Sequence, residues 1–198
     1  MSTSATQPAD LAVRDRILAA AREEFAALGL HAASVHTIAR RAGVTAAMIN
    51  YYHGSKRALY DAVVAEAQGR LLARLTEAMR GAGEPGTPSR LAAAYFDFLA
   101  SENQLQRLLV RQVIDRDDSV RELTARFVRP LRAFLDQHFG TDEDALQLAI
   151  SLFGAIAGYF LYEPVLGAFL GDDPLSPASL ASRRRHVLRL ARMMEKSR

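Results

Sequence analysis

The chain has 198 residues, of which 49% are hydrophobic and 24% charged, and its formal net charge is +3. This composition is typical of a globular protein and does not favour a disordered chain. The absence of cysteine excludes disulfides, thiolate zinc sites and cysteine nucleophiles, and it is typical of a cytoplasmic protein. The first ten residues are polar and lack the basic start and apolar run of a signal peptide, so we expect a cytoplasmic location.

Apolar residues recur at spacings of three and four along most of the chain, whereas alternating runs are scarce. This pattern predicts an all-α fold of about nine helices. Gly29 and Gly43 are expected to end the first two helices, and Pro130 to kink or split the seventh. The glycine- and proline-rich residues 81–88 are expected to form a connection. The predicted helices cover about residues 10–28, 35–42, 45–52, 55–80, 88–99, 104–115, 119–139, 142–163 and 177–196.

The segment between Val35 and Tyr52 has the sequence pattern of two short helices joined by a tight turn. Two helices that cross steeply need a small residue at their contact, here Ala39, and a residue that tolerates positive φ in the turn, here Gly43. Ile49 then packs the second helix onto the first. The opposite face, free to enter a major groove, carries Ala46, Ala47, Asn50 and Tyr51.

The charge pattern around these helices also points to DNA. Residues 25–60 contain no Asp or Glu but four basic residues, Arg40, Arg41, Lys56 and Arg57. This window is more positive than the whole chain, whose net charge is +3, so the positive excess is local to it. A phosphate backbone favours such a distribution. An ordinary helical hairpin in an all-α core is the alternative.

The runs Thr37-Ile-Ala-Arg-Arg-Ala-Gly-Val-Thr45 and Ile49-Asn-Tyr-Tyr-His-Gly-Ser-Lys56 resemble the signature of the TetR family, over about residues 12–63. The likeness is closest to a subset that reads Ile-Asn-Tyr-His-Phe-Gly-Ser-Lys, although Tyr52-His53 here replaces His-Phe. By position, the resemblance implies phosphate contacts from Ser34, Thr45, Tyr51 and Lys56, and base-facing positions at Ala46, Ala47 and Asn50.

The same resemblance implies two functional domains along the chain. Residues 1–54 are expected to form a three-helix, helix-turn-helix DNA-binding domain, and residues 55–198 a helical bundle for effector binding and dimerisation. The expected function is a repressor that a small-molecule effector releases from an inverted-repeat operator in double-stranded DNA. A constitutive architectural DNA-binding protein without an effector is the alternative, and it would show little sequence preference.

The uncharged stretch from Ala145 to Tyr162 is about long enough to cross a bilayer if fully apolar. Gln147 and Ser151 make it more polar, and we interpret it as a buried helix with no membrane partner. Gly154 and Gly158 lie four residues apart in it, a spacing that lets two backbones approach closely. Together with the apolar stripe of the last helix, this predicts a homodimer formed through helices near 142–163 and 177–196.

Aromatic residues concentrate between positions 95 and 162, and a few polar groups share their helices. We interpret part of this set as the lining of a cavity for an apolar molecule with one polar or anionic end. The alternative is that the two arginines are surface or ion-paired residues. Further along the chain, the run Arg183–Arg185 is expected to be a solvated flank. The candidate effector-binding residues are Tyr95, Phe98, Arg107, Arg111, Phe127, Phe153 and Tyr159.

Enzymatic function has little support in the sequence. The five histidines lack metal-ligand spacing, and neither a glycine-rich phosphate loop nor a nucleophile elbow is present. We therefore expect no catalysis, no metal and no cofactor. An α-helical enzyme that happens to contain a helical hairpin stays open as an alternative, which a co-purifying metal or cofactor would favour.

Overall fold

A computed structural model describes residues 8–80, 87–114, 128–129, 132–133, 136 and 143–196. Within these ranges the chain forms nine helices and no strand, which confirms the predicted all-α fold. The helices are α1 (Pro8–Ala32), α2 (Val35–Ala42), α3 (Ala46–His53), α4 (Lys56–Arg80), α5 (Pro88–Ser101), α6 (Asn103–Ile114), α7 (Glu143–Leu161), α8 (Glu163–Leu170) and α9 (Pro177–Lys196).

Two predicted helix ends differ from the structure. Gly29 has a φ of 73° and breaks α1, as a glycine stop should, but one more helical turn follows it. The helix predicted to end at residue 163 ends at Leu161, and α8 begins after Tyr162 with Pro164 in its first turn. A proline is tolerated there because the first N–H groups of a helix have no intrahelical acceptor. The helix expected over 119–139, with its kink at Pro130, lies largely outside the described residues.

One compact unit contains α1 to α3, α4 up to Gln68, and α6 from Gln104. Its core is formed by apolar residues from each of these helices, and the rings of Phe25 and Tyr60 meet edge to face at 5.2 Å. Ile38 and Ile49 are fully buried in the same core. Apolar burial of this extent is the main stabilising contribution to such a unit. Helix α6 contributes Leu105 and Leu108, which are also fully buried.

The second unit contains α4 from Gly69, α5, α7, α8 and α9. Helix α5 packs against α7 and α9. The rings of Phe96 and Phe160 lie 5.3 Å apart, and Val187 and Ala191 of α9 are fully buried. The predicted functional boundary between residues 54 and 55 differs from this division inside α4 and stays a prediction, because compactness does not measure which residues bind DNA.

The apolar stretch around α7 does not form a membrane span by itself. Among the described residues, no single helix is long and apolar enough to cross a bilayer. Leu146–Leu161 and Glu163–Leu170 reach the required length and apolarity only as a pair, and the chain bends by 81° between them.

Candidate nucleic-acid interface

Helices α2 and α3 form a helix-turn-helix whose turn is held by specific contacts. The hydroxyl group of Ser34 accepts a hydrogen bond from the backbone N–H of Thr37 at 3.4 Å, which caps α2. Gly43 ends α2 in the left-handed conformation with φ of 67°, as predicted, and a side chain there would be strained. Thr45 caps α3 by accepting from the N–H of Met48 at 3.3 Å. These caps satisfy N–H groups that a helix leaves without partners.

Helix α3 has a buried face and an exposed face. Ile49 is fully buried and anchors α3 on the unit. Ala47 and Asn50 are exposed, and Tyr51 is 82% exposed. Ala46 is half-buried. The predicted groove-facing positions therefore lie on the side of α3 that solvent reaches.

Lys56 lies at the start of α4, where its ammonium group meets the end of α1. Its Nζ atom donates hydrogen bonds to the backbone carbonyls of His31 and Ala33, both at 3.1 Å. Carbonyls near a helix C-terminus carry partial negative charge and favour a cation. Lys56 thus has a structural role that its position in the sequence did not predict.

Two of the four basic residues in the window 25–60 pair with carboxylates from outside it. Arg41 pairs with Glu23 of α1 at 3.1 Å, and Arg57 pairs with Asp61 of α4 at 2.9 Å. Arg40 lies exposed in the last turn of α2. The positive charge around these helices is consequently lower than residues 25–60 alone indicate, since the acidic partners Glu23 and Asp61 lie outside that range.

Two hydrogen bonds that the sequence did not predict join the end of α3 to the first turns of α1. The Tyr52 hydroxyl donates to Oδ1 of Asp10 at 2.7 Å, and Nη2 of Arg14 donates to the Tyr52 carbonyl at 3.4 Å. The hydrogen bond to Asp10 is the largest cause of a raised pKa for the Tyr52 phenol. The ring of Tyr51 meets the ring of Tyr52 edge to face at 5.1 Å. The one sequence feature that marked this position is that Tyr52-His53 stands where the family subset has His-Phe.

His53 follows Tyr52 and is half-buried. Its Nε2 atom is shielded from solvent and has no hydrogen-bond partner among the described residues. Burial, and next the charge of Arg14, lower the pKa of His53 below its usual value of 6.5. The neutral imidazole is therefore favoured in the folded unit.

The candidate effector residues are only partly brought together. Tyr95 stacks on Phe153, with ring centres 5.1 Å apart and planes inclined by 14°, and burial raises the pKa of the Tyr95 phenol. The Tyr159 hydroxyl donates to the carbonyl of Pro174 at 2.7 Å. Phe98 is buried in the core. Arg107 is exposed and belongs to the first unit. The side chain of Arg111 and residue Phe127 lie outside the described part of the chain.

In the arginine run on α9, Arg183 is packed rather than solvated, so that expectation was wrong for it, whereas Arg184 forms an ion pair at the surface. The guanidinium of Arg183 lies 5.2 Å from the centre of the Tyr159 ring and donates to the Ala155 carbonyl at 2.7 Å. Arg184 donates to both carboxylate oxygens of Asp97, at 2.7 and 2.8 Å. Arg183 thus contacts α7, and Arg184 contacts α5.

An open groove lies in the second unit, and its lining includes none of the predicted effector residues. Its volume is about 800 Å³, and its lining comes from the second half of α4 and from α5. Three of the lining residues are apolar or glycine and four are polar or charged, which is a more polar lining than is usual for a small-molecule site. The lining residues are Gly69, Leu72, Ala73, Thr76, Glu77, Arg80 and Arg90.

The helix-turn-helix has a recognisable family. Residues 17–63 match the model of bacterial regulatory proteins of the tetR family. The HTH-type transcriptional activator FasR from Mycolicibacterium smegmatis is 35% identical over 97 residues, which are 48% of this chain and 44% of that protein. The HTH-type transcriptional regulator UidR from Escherichia coli K12 is 38% identical over 68 residues, 34% of this chain and 35% of that protein. The chain thus spans less than half the length of these curated relatives.

The similarity in fold extends through both units. A TetR-like transcriptional regulator from Rhodococcus sp. RHA1 superimposes with a TM-score of 0.68 over 93% of this chain and 96% of that chain, at 23% identity. At this identity the likeness is one of fold. The comparisons support a TetR-type helix-turn-helix within residues 17–63 and, by likeness of fold, a C-terminal helical domain. The likeness to the Ile-Asn-Tyr-His-Phe-Gly-Ser-Lys subset stays a prediction.

Proposed function

We propose that this protein is a transcriptional regulator of the TetR family that binds double-stranded operator DNA through α2 and α3. The observation that carries the proposal is the geometry of α3. Its N-terminus is capped by Thr45, Ile49 anchors its inner face, and Asn50 and Tyr51 point to solvent. These residues lie inside the stretch that matches the family model. A rigidly held helix with an exposed polar face is what major-groove recognition requires.

The roles of the contacts follow from their chemistry. Ser34 and Thr45 lie at helix N-termini, where backbone N–H groups and a hydroxyl together can meet a phosphate. Tyr51 and Lys56 can add a phenol and an ammonium donor to the backbone. Ala46, Ala47 and Asn50 face the bases. An asparagine amide can pair with N6 and N7 of adenine, whereas a small alanine admits close approach and apolar contact with a thymine methyl group.

We propose further that the protein works as a homodimer and that its operator is an inverted repeat. Support comes from α7, where Ile150 is 54% and Phe153 48% exposed, and from α8, where Phe169 is 85% exposed. Large apolar side chains left exposed on a helix favour burial against a partner. A two-fold protein meets two half-sites related by the same axis.

The regulatory response is proposed to be repression relieved by a small-molecule effector bound in the second unit. The groove lined by the second half of α4 and by α5 is open to solvent and gives a ligand access to α4. Helix α4 contains residues of both units, so a ligand that shifts its second half has a covalent route to the DNA-binding residues. One relative is named an activator, and the test must therefore measure the sign of the response.

Selection of bound fragments from the source genome tests the proposal directly. We expect enrichment of fragments with an inverted repeat, a footprint over both half-sites, and affinity at least 1,000-fold above that for random DNA, the lower end for specific regulators. Repression requires that transcription from the enriched promoter falls when the protein is added. Enrichment without sequence preference would instead favour the architectural DNA-binding protein.

A ligand screen tests the effector. Aliphatic and aromatic carboxylates are suitable probes, since the predicted ligand is apolar with a polar or anionic end. A ligand that raises the melting temperature should also weaken operator binding, because one conformational equilibrium couples the two sites. Sequence-specific binding with no thermal shift from any probe would contradict the effector and leave DNA recognition standing.

A further inference from the structure

The C-terminal turn of the recognition helix is fastened to the start of α1 by two hydrogen bonds. One runs from the Tyr52 hydroxyl to Asp10 at 2.7 Å, and the other from Arg14 to the Tyr52 carbonyl at 3.4 Å. The residues that these contacts join are 42 and 38 positions apart in sequence. A hydrogen bond to a carboxylate is shorter and stronger than one between neutral groups. Asp10 therefore restrains the ring of Tyr52.

The restrained ring of Tyr52 in turn contacts Tyr51, a side chain on the exposed face of α3. The Tyr51 ring lies edge to face on the Tyr52 ring, with centres 5.1 Å apart and planes at 80°. Tyr51 is otherwise 82% exposed, and an exposed tyrosine without such a neighbour samples several rotamers. Holding it in one orientation before DNA arrives reduces the conformational entropy that binding must remove.

We propose that Asp10 is a positioning residue for DNA binding, which acts through Tyr52 to hold Tyr51 in the orientation that contacts DNA. The inference rests on the proposed function. Asp10 also lies in the first turn of α1, where a carboxylate stabilises a helix N-terminus. The experiment must therefore separate positioning of Tyr51 from general support of α1.

The variants Tyr52→Phe and Asp10→Ala each break the hydrogen bond, and Asp10→Asn keeps an acceptor oxygen while removing the charge. Binding is measured to the selected operator and to random duplex of the same length, well below the melting temperature of every variant. We expect Tyr52→Phe and Asp10→Ala each to lose about 3- to 10-fold in operator affinity, the range for freeing one side chain. The double variant should lose no more than either single variant, because the two groups act as one pair.

Two further comparisons exclude a purely structural role. Asp10→Asn should retain most of the operator affinity, because its amide oxygen still accepts from Tyr52. In a Tyr51→Ala background, Tyr52→Phe should cause no additional loss, since the side chain to be positioned is gone. Loss of support for α1 would instead lower affinity equally with and without Tyr51.

The outcomes separate this inference from the proposed function. A wild-type protein without sequence preference overturns the proposed function, and the inference with it. A selective wild-type protein whose Tyr52→Phe variant binds the operator equally well overturns the inference alone. So does a loss in Tyr52→Phe that persists undiminished in the Tyr51→Ala background.

Discussion

The ammonium group of Lys56 lies 3.1 Å from the carbonyl oxygen of Ala33 and donates a hydrogen bond to it. A second bond to the carbonyl of His31 has the same length. An ammonium group has three N–H donors, so one remains to meet a phosphate while two hold the end of α1. Lys56 therefore combines a structural role with the phosphate contact that its sequence position implies.

Replacing Lys56 should change folding stability and DNA binding together. Lys56→Ala is expected to lower the free energy of unfolding by about 1 to 3 kcal/mol, the range for losing hydrogen bonds from a charged donor. It should also weaken operator and random DNA by similar factors and lower the salt slope by about one unit, because a phosphate contact reads no base. Urea unfolding and binding measured over a series of salt concentrations check both.

Arg57→Ala is the matched control for Lys56→Ala. It removes a neighbouring positive charge whose exposed partner is Asp61, one helical turn away. Exposed pairs of this kind contribute only about 0.3 to 0.5 kcal/mol, so Arg57→Ala should lower the free energy of unfolding less than Lys56→Ala does. Equal stability losses in the two variants would contradict the role of Lys56 at the end of α1.

Local steric rules explain which parts of the site the sequence predicted. Ala39, Gly43 and Ile49 stand in a pattern that two crossing helices require, and the structure has Ala39 and Ile49 buried and Gly43 at positive φ. The hydrogen bonds of Lys56 and Tyr52 to α1 and the residue after it join residues 23 to 42 positions apart in sequence, and no local pattern predicts them. Their geometry follows from how α1 packs on α2, which depends on the whole unit.

The second unit was predicted less completely, for identifiable reasons. The helix predicted over 142–163 ends at Leu161, and Pro164 stands in the first turn of α8, where a proline favours a helix start. Arg183 was expected in solvent, yet its guanidinium packs on Tyr159. Such long side chains extend over apolar surface, and which surface they find depends on tertiary packing. The groove beside α4 had no sequence signal, since its lining is mostly small or common helical residues.

Asn50 should contribute to sequence recognition rather than to general affinity. It is exposed on α3, and a bidentate pair with adenine is worth about 1 to 3 kcal/mol of discrimination. Asn50→Ala is expected to cost that amount on operator and little on random DNA, in competition assays at fixed salt. Arg40→Ala, at an exposed cation on α2, should instead weaken both DNAs alike. Equal losses on both DNAs from Asn50→Ala would show that Asn50 touches only the backbone.

Mild acid should destabilise the folded chain through His53. Burial and Arg14 lower its pKa in the folded state from the usual 6.5, so the unfolded chain binds this proton first. Stability is therefore fully present above about pH 6.5 and falls as the pH drops below it. We expect the difference in unfolding free energy between about pH 7.5 and about pH 5.5 to shrink in His53→Phe, because phenylalanine has no titrating group. A pH response that survives in His53→Phe would assign it to other titrating groups.

The exposed apolar face of α7 should be the site where a single charge disrupts the proposed dimer. Ile150 is 54% exposed on the described chain, and a glutamate in its place would be buried without a partner at a two-fold interface, twice per dimer. Ile150→Glu is therefore expected to shift the protein from dimer to monomer in sedimentation at micromolar concentration and to weaken operator binding, since one subunit then meets only one half-site. Gln104→Glu adds the same charge at an exposed position on α6 and should stay dimeric. A dimer that withstands Ile150→Glu would exclude this face of α7 from the interface, and a monomeric wild-type protein would contradict the homodimer itself.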